Sequence, residues 1–188
     1  MAHNMARSSL SLAIAAAMTL SSAMLLVASP APAALAVGKK APDFTIQASL
    51  AGQPFTFHLA DALKKGPVVL YFFPAAATSG CTVEAHDFAD ATDSFKALGA
   101  TVIGISADSI ERLNRFSVEE CREKFAVASA PISLISAYDV KLPVLSRSNR
   151  TSFVIAPDGT IVFAYSDLDH REHAERTLSA VKAWVAKH

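Results

Sequence analysis

Two cysteines, Cys81 and Cys121, stand in 188 residues, and the first has the surroundings of a nucleophile. Cys81 closes the run Val68-Val69-Leu70-Tyr71-Phe72-Phe73-Pro74-Ala75-Ala76-Ala77-Thr78-Ser79-Gly80. Val68 to Phe73 is continuously apolar and rich in β-branched and aromatic residues, as a strand covered on both faces requires. Pro74 ends that strand, and Thr78-Ser79-Gly80 supplies capping hydroxyls and a flexible joint before a helix. A cysteine in the first turn of that helix meets unpaired backbone N–H groups and the positive end of the helix dipole. Both favour thiolate over thiol.

Other cysteine chemistries fit less well. A Cys-x-x-Cys redox pair is disfavoured, because the third residue after Cys81 is Glu84. A cysteine–histidine hydrolase would pair Cys81 with His58, His86 or His170, and no spacing singles out one of them. The six histidines are scattered, and none stands with a cysteine at zinc-ligand spacing, so neither a metal nor another cofactor is expected. A structural Cys81–Cys121 disulfide in a non-catalytic binding module is the bland alternative.

The elements that must position Cys81 follow from the rest of the chain. It is 52% hydrophobic and 18% charged, with 17 Lys+Arg against 17 Asp+Glu. That suits one globular domain and leaves no basic stripe for nucleic acid. At the N-terminus, Arg7, the apolar run Leu10 to Ala28 and the small residues Ser29 to Ala36 make a cleaved secretory signal over residues 1–36. Ala34-Leu35-Ala36 favours cutting after Ala36, with Ala33 as the alternative. The expected location is periplasmic or otherwise extracytoplasmic, where disulfides are permitted, without stable membrane association after cleavage.

Residues 37–188 then form the domain. Ile46 to Leu50 and Pro54 to Leu59 alternate around Ala51-Gly52-Gln53 as a hairpin. Ala60 to Lys65 reads as a short helix. Cys81 to about Leu98 reads as a helix with Val83, Phe88, Ala91 and Phe95 on one face. Thr101 to Ala107 is a second buried strand, and Ser109 to about Lys124 a helix with Asp108 as a possible cap. Phe125 to Ile135 is open between strand and loop, and Ala137 to Val140 reads as a helical turn. Thr151 to Ala156 and Thr160 to Tyr165 make a second hairpin across Pro157-Asp158-Gly159. The final helix, Glu172 to Ala186, carries Ala174, Leu178, Val181 and Val185 on its apolar stripe. Strands alternating with helices give an α/β class with a mixed sheet.

The spacing of Pro74, Thr78 and Cys81 between strand and helix resembles the peroxidatic-cysteine loop of the peroxiredoxins. Tyr71-Phe72-Phe73-Pro74 and Thr82-Val83-Glu84-Ala85 on either side of it resemble the PrxQ branch, also called bacterioferritin comigratory protein. The resemblance covers most of residues 39–187 and is strongest at 69–85 and 150–163.

The resemblance implies a thioredoxin fold of peroxiredoxin type and a thiol-dependent peroxidase that reduces hydrogen peroxide and organic hydroperoxides. Cys81 would be the peroxidatic thiol. Arg150, directly before Thr151-Ser152-Phe153-Val154-Ile155, stands where the family carries its active-site arginine, whose donors hold thiolate and peroxide together. Thr78 would hydrogen-bond the sulfur or a peroxide oxygen, or cap the helix. Gly80 and Cys81 would offer backbone N–H groups to the developing charge, and Pro74 would shield the thiolate. Glu84 matches a glutamate usual in the branch, and reads equally as a solvated first-turn acid.

Many PrxQ chains carry the resolving cysteine five residues after the first, where this chain has His86. Cys121 resembles the resolving thiol of another subgroup, which implies an intramolecular Cys81–Cys121 disulfide with local unwinding at each cycle. A thioredoxin-like thiol reductant and a monomer complete what the resemblance implies. The chain departs from the branch in Ala75-Ala76-Ala77, which replaces a more polar loop, and in Ser129 to Tyr138, which lacks an Asp-rich stretch.

Overall fold

The computed structural model describes residues 34–188, so the expected secretory segment falls, but for its last three residues, outside the described residues. In chain order the elements are β1 (Thr45–Leu50), β2 (Gln53–His58), α1 (Leu59–Leu63), β3 (Val68–Phe72), α2 (Ser79–Ala97), β4 (Thr101–Ser106), α3 (Ile110–Glu119), β5 (Ala126–Ser129), α4 (Ile132–Ala137), β6 (Thr151–Ile155), β7 (Ile161–Ser166) and α5 (His173–Val185). The strands form one seven-stranded mixed sheet in the order β2-β1-β5-β4-β3-β6-β7.

The apolar run of β3 is explained by its place in that sheet. It pairs with β4 in parallel and with β6 antiparallel, and all five of its residues are buried. Val68, Leu70 and Phe72 join the core under α1 and α4, while Val69, Tyr71 and the following Phe73 join the core under α2, α3 and α5. Both faces are covered, which is why the strand is apolar apart from the Tyr71 hydroxyl.

Tyr71 tests how tightly this second core is closed. Its ring stacks on Phe88 with centroids 4.2 Å apart, and its hydroxyl has no hydrogen-bond partner among the described residues. A Cβ on Gly104 would lie 2.7 Å from Tyr71 Cζ. Gly104→Ala therefore forces the ring out of its stack and costs about 1–3 kcal/mol. Tyr71→Phe removes an unsatisfied hydroxyl and raises stability by about 1 kcal/mol. Chemical denaturation of the two variants reads both signs.

Four expectations need correction. The helix expected over Ser109 to Lys124 ends at Glu119. Arg122 and Glu123 take left-handed backbone angles, φ 50° and 58°, so the chain turns away and Cys121 sits beyond the helix. Asp108 does not cap that helix; Ser109 does, its hydroxyl accepting from Arg112 N. On α2 the buried face runs through Cys81, Glu84, Phe88, Thr92 and Phe95, whereas Val83 is exposed. Val185, placed on the apolar stripe of α5, is also exposed. The open region 125–135 contains β5 and the start of α4.

Candidate active site

The register of the sheet brings the expected site residues together. Phe72 pairs with Thr151 across the antiparallel β3–β6 ladder, so Arg150, one residue earlier, lies beyond the end of β3 at the mouth of the loop that leads to Cys81. Ser148 fastens this end by donating its hydroxyl to the Phe73 carbonyl at 2.9 Å. Arg150 Nη2 then lies 3.5 Å from Cys81 Sγ. The sulfur is almost wholly buried, at 2% exposure, and α2 starts two residues before it. The thiol thus sits in the first helical turn, as its sequence context implied, with a guanidinium against it.

Arg150 is itself held on three sides. Its Nε donates to the Leu168 carbonyl at 3.0 Å, Nη1 binds Glu84 Oε2, and Nη2 faces the sulfur. Gly80 makes room for this arrangement, since a Cβ there would lie 3.3 Å from Arg150 Nη2. Glu84 is fully buried, not a solvated first-turn acid. Two effects oppose each other on its carboxyl: burial raises its pKa and the Arg150 charge lowers it. Burial wins, and Glu84 titrates at about 8.

The β3–α2 loop is pinned from β4 and α3 by residues that sequence reasoning missed. Asp108 Oδ2 accepts from Ala76 N at 2.6 Å and from Ser106 Oγ at 2.9 Å. Arg112 Nη2 donates to the Ala76 carbonyl. The sequence signal was Ser106-x-Asp108 at the end of a buried strand, next to the loop in a parallel sheet. Thr78 does not make the expected contact with the sulfur; its hydroxyl donates to the Ala75 carbonyl at 3.0 Å, and its side chain makes no helix-capping bond. Pro74 is half-buried, two residues past the end of β3.

A second missed group is His173, the first residue of α5 and fully buried. Its Nε2 lies 3.0 Å from the Asp167 carbonyl and its Nδ1 2.8 Å from Ser152 Oγ. Burial lowers its pKa from the ordinary 6.5 to about 4, and Arg150 pushes in the same direction. A histidine buried neutral contributes stability that is complete above about 6.5 and lost as pH falls through about 4. Melting temperature therefore falls over that range, and the fall shrinks in His173→Gln, which scanning calorimetry across pH measures.

The histidines considered as hydrolase partners have other attachments. His58 bonds Asp43 and Asp61, at 2.9 and 3.0 Å, and His86 bonds Glu120 at 2.9 Å. His170 lies beside Gly80, with Nδ1 buried and without a hydrogen-bond partner among the described residues.

Cys121 and Cys81 are both free thiols buried in the same apolar cluster. Burial raises the pKa of the Cys121 thiol far above the ordinary range, and Glu120 adds to the shift. Its segment is tied to α2 by His86–Glu120, Asp90–Arg122 at 2.6 Å and Asp93–Lys124 at 3.4 Å.

Comparison with known proteins agrees with this geometry. The AhpC/TSA family model matches residues 37–164. The peroxiredoxin Bcp of Bacillus subtilis is 31% identical over 152 residues, covering 78% of this chain and 94% of the relative. Among solved structures, peroxidoxin BcpB of Mycobacterium tuberculosis superposes with a TM-score of 0.69 at 32% identity, covering 78% of this chain and 96% of that one. PrxQ of Xylella fastidiosa gives 0.70 at 26% identity, covering 80% and 97%. The neighbours confirm the thioredoxin fold of peroxiredoxin type. With a buried thiol in a first helical turn, an arginine against it and these relatives, the chain belongs to the AhpC/TSA family, in the Bcp and PrxQ branch of the peroxiredoxins.

Proposed function

We propose that the chain is an exported thiol peroxidase in which Cys81 attacks hydrogen peroxide or an organic hydroperoxide, Cys121 resolves the product, and a thioredoxin-like dithiol closes the cycle. The observation that carries this reading is the Arg150 guanidinium 3.5 Å from a buried Cys81 sulfur. The thiolate sulfur attacks one peroxide oxygen, the O–O bond breaks, and the departing oxygen takes a proton and leaves as water or alcohol. Guanidinium N–H groups stabilise charge on both the sulfur and the peroxide oxygens. Cys81 is left as a sulfenic acid. Attack by Cys121 forms the disulfide and releases water, and the dithiol donor returns both thiols.

The segment bearing Cys121 suits such a step. Two non-glycine residues in left-handed conformation, Arg122 and Glu123, cost of order 1 kcal/mol each. The pairs tying the segment to α2 are partly exposed and weak. Release of this turn would free a thiol that burial keeps protonated and inert.

Export is read from the sequence of residues 1–36. Ala34 is buried and Leu35 N donates to the Tyr138 carbonyl at 3.2 Å, which supports cleavage after Ala33 over cleavage after Ala36. N-terminal sequencing of the secreted protein identifies the site. The enzyme acts as a monomer.

The direct test is peroxide consumption by the mature chain with thioredoxin as electron donor. Turnover that disappears in Cys81→Ser supports the reading. Consumption that persists in Cys81→Ser, or is absent in the wild type with both dithiothreitol and thioredoxin, refutes it.

A further inference from the structure

The segment between β3 and α2 buries peptide groups that its own side chains can hardly serve. Pro74 has no N–H to give, and Ala75, Ala76 and Ala77 bring no polar side chains. Ala75 and Ala76 are nevertheless buried, so their peptide groups must find partners elsewhere. The Ala75 carbonyl takes the Thr78 hydroxyl, from within the loop. Ala76 is held from outside it. Its N–H donates to Asp108 Oδ2 at 2.6 Å, and its carbonyl accepts from Arg112 Nη2. One acid and one base, four residues apart, thus grip both polar main-chain atoms of a single residue.

The grip is fixed from behind. Ser106 Oγ, at the end of β4, donates to Asp108 Oδ2 at 2.9 Å, and Ser129 Oγ, at the end of β5, donates to the Asp108 carbonyl at 2.7 Å. Arg112 Nη1 lies 3.5 Å from Asp108 Oδ1, so the guanidinium is anchored to the same carboxylate that holds Ala76 N. Ala77, the next residue of the loop, stands in the left-handed region at φ 57° without being glycine. Such a conformation persists only where the surroundings over-determine it. Thr78 and the first turn of α2, with Cys81, follow directly. The position of the sulfur against Arg150 Nη2, 3.5 Å away, therefore depends on where Ala76 is held.

We propose that the Asp108–Arg112 pair positions the peroxidatic sulfur: by gripping Ala76 it sets the start of α2 against Arg150 and keeps Cys81 closed to bulky reagents. Both are positioning residues, acting on the sulfur through Ala76 and the loop. Without the grip, a buried N–H and a buried carbonyl are left unpaired, and the loop relieves that cost by moving towards water. The movement carries Cys81 away from Arg150 and opens a sulfur that is now 2% exposed. The consequence for peroxide rests on the peroxidase reading; the closure of the sulfur does not.

Two reactions of the same sulfur in the reduced protein test the proposal. Reaction with hydrogen peroxide needs Arg150 in place, whereas alkylation by iodoacetamide needs only a thiolate that the reagent can reach. In Arg112→Met the peroxide rate constant falls about tenfold, the scale expected for a displacement of less than an ångström. Alkylation at Cys81, located by peptide mapping, becomes severalfold faster. Arg112→Lys returns one donor to the Ala76 carbonyl and restores most of both rates. Asp108→Asn serves where the methionine variant does not fold, and moves the two rates in the same opposite directions. A variant that has lost only global stability leaves both rates unchanged while circular dichroism shows it folded. Unchanged rates in a folded variant overturn the proposal, as do two rates that fall together. Faster alkylation in the variant of a protein that never reacts with peroxide refutes the peroxidase reading and leaves the grip on the Cys81 loop standing.

Discussion

Replacing Arg150 with methionine lowers the rate constant of Cys81 for hydrogen peroxide by about a thousandfold. The side chain of methionine fills much of the same space but brings neither charge nor donors. Cys81 then loses the Nη2 contact at 3.5 Å, the peroxide oxygens lose their guanidinium, and only the start of α2 remains to favour the thiolate. The same change leaves Glu84 Oε2 without its donor and the Leu168 carbonyl without Nε. Burial already raises the Glu84 pKa and loss of the Arg150 charge raises it further, which favours the neutral carboxyl in the variant, so the stability cost is about 1–3 kcal/mol. Arg150→Lys restores a charge but not the fork that reaches sulfur, carboxyl and carbonyl at once, and recovers only part of the rate. Stopped-flow kinetics on the reduced variants, with urea denaturation alongside, separates the two effects.

Cys121→Ser has the second large effect: turnover stops after one reaction per molecule. Serine preserves the shape of the segment, so the first step at Cys81 proceeds at the wild-type rate. The sulfenic acid then finds no partner thiol within the chain and, under excess peroxide, moves on to sulfinic acid. Steady-state consumption with thioredoxin falls to background, while the single-turnover burst survives. A variant that turns over normally with thioredoxin would remove Cys121 from the cycle. In the proposed cycle the burial of Cys121 calls for motion: burial raises the pKa of the thiol, and its turn would have to open before it could attack.

The strand, loop and helix start around Cys81 were legible because β3, its proline and the Thr78-Ser79-Gly80 joint are local signals. Both hairpins were legible for the same local reasons. Arg150 was legible only through the family resemblance, since an arginine before a strand otherwise reads as a surface residue; the β3–β6 register is what brings it to Cys81. Glu84 was ambiguous because helical phase was judged from apolar residues alone. The buried face of α2 includes Glu84 and Thr92, the first satisfied by Arg150 and the second by the Phe88 carbonyl at 2.8 Å. Polar residues with tertiary partners cannot be told from solvated ones by periodicity. The end of α3 was missed because Arg122 and Glu123 turn the chain without glycine, against the usual preference for the left-handed region. Asp108 and His173 act through contacts far apart in sequence, with Ala76 and with Ser152, and no spacing announces them.

The central claim, that Cys81 is a nucleophile which reduces peroxide and passes its oxidation to Cys121, is tested most directly by intact mass spectrometry. The reduced mature protein is measured before and after one equivalent of hydrogen peroxide. The account predicts rapid loss of two hydrogen masses, with peptide mapping locating a single Cys81–Cys121 bond. An unchanged mass with both thiols still free would contradict it.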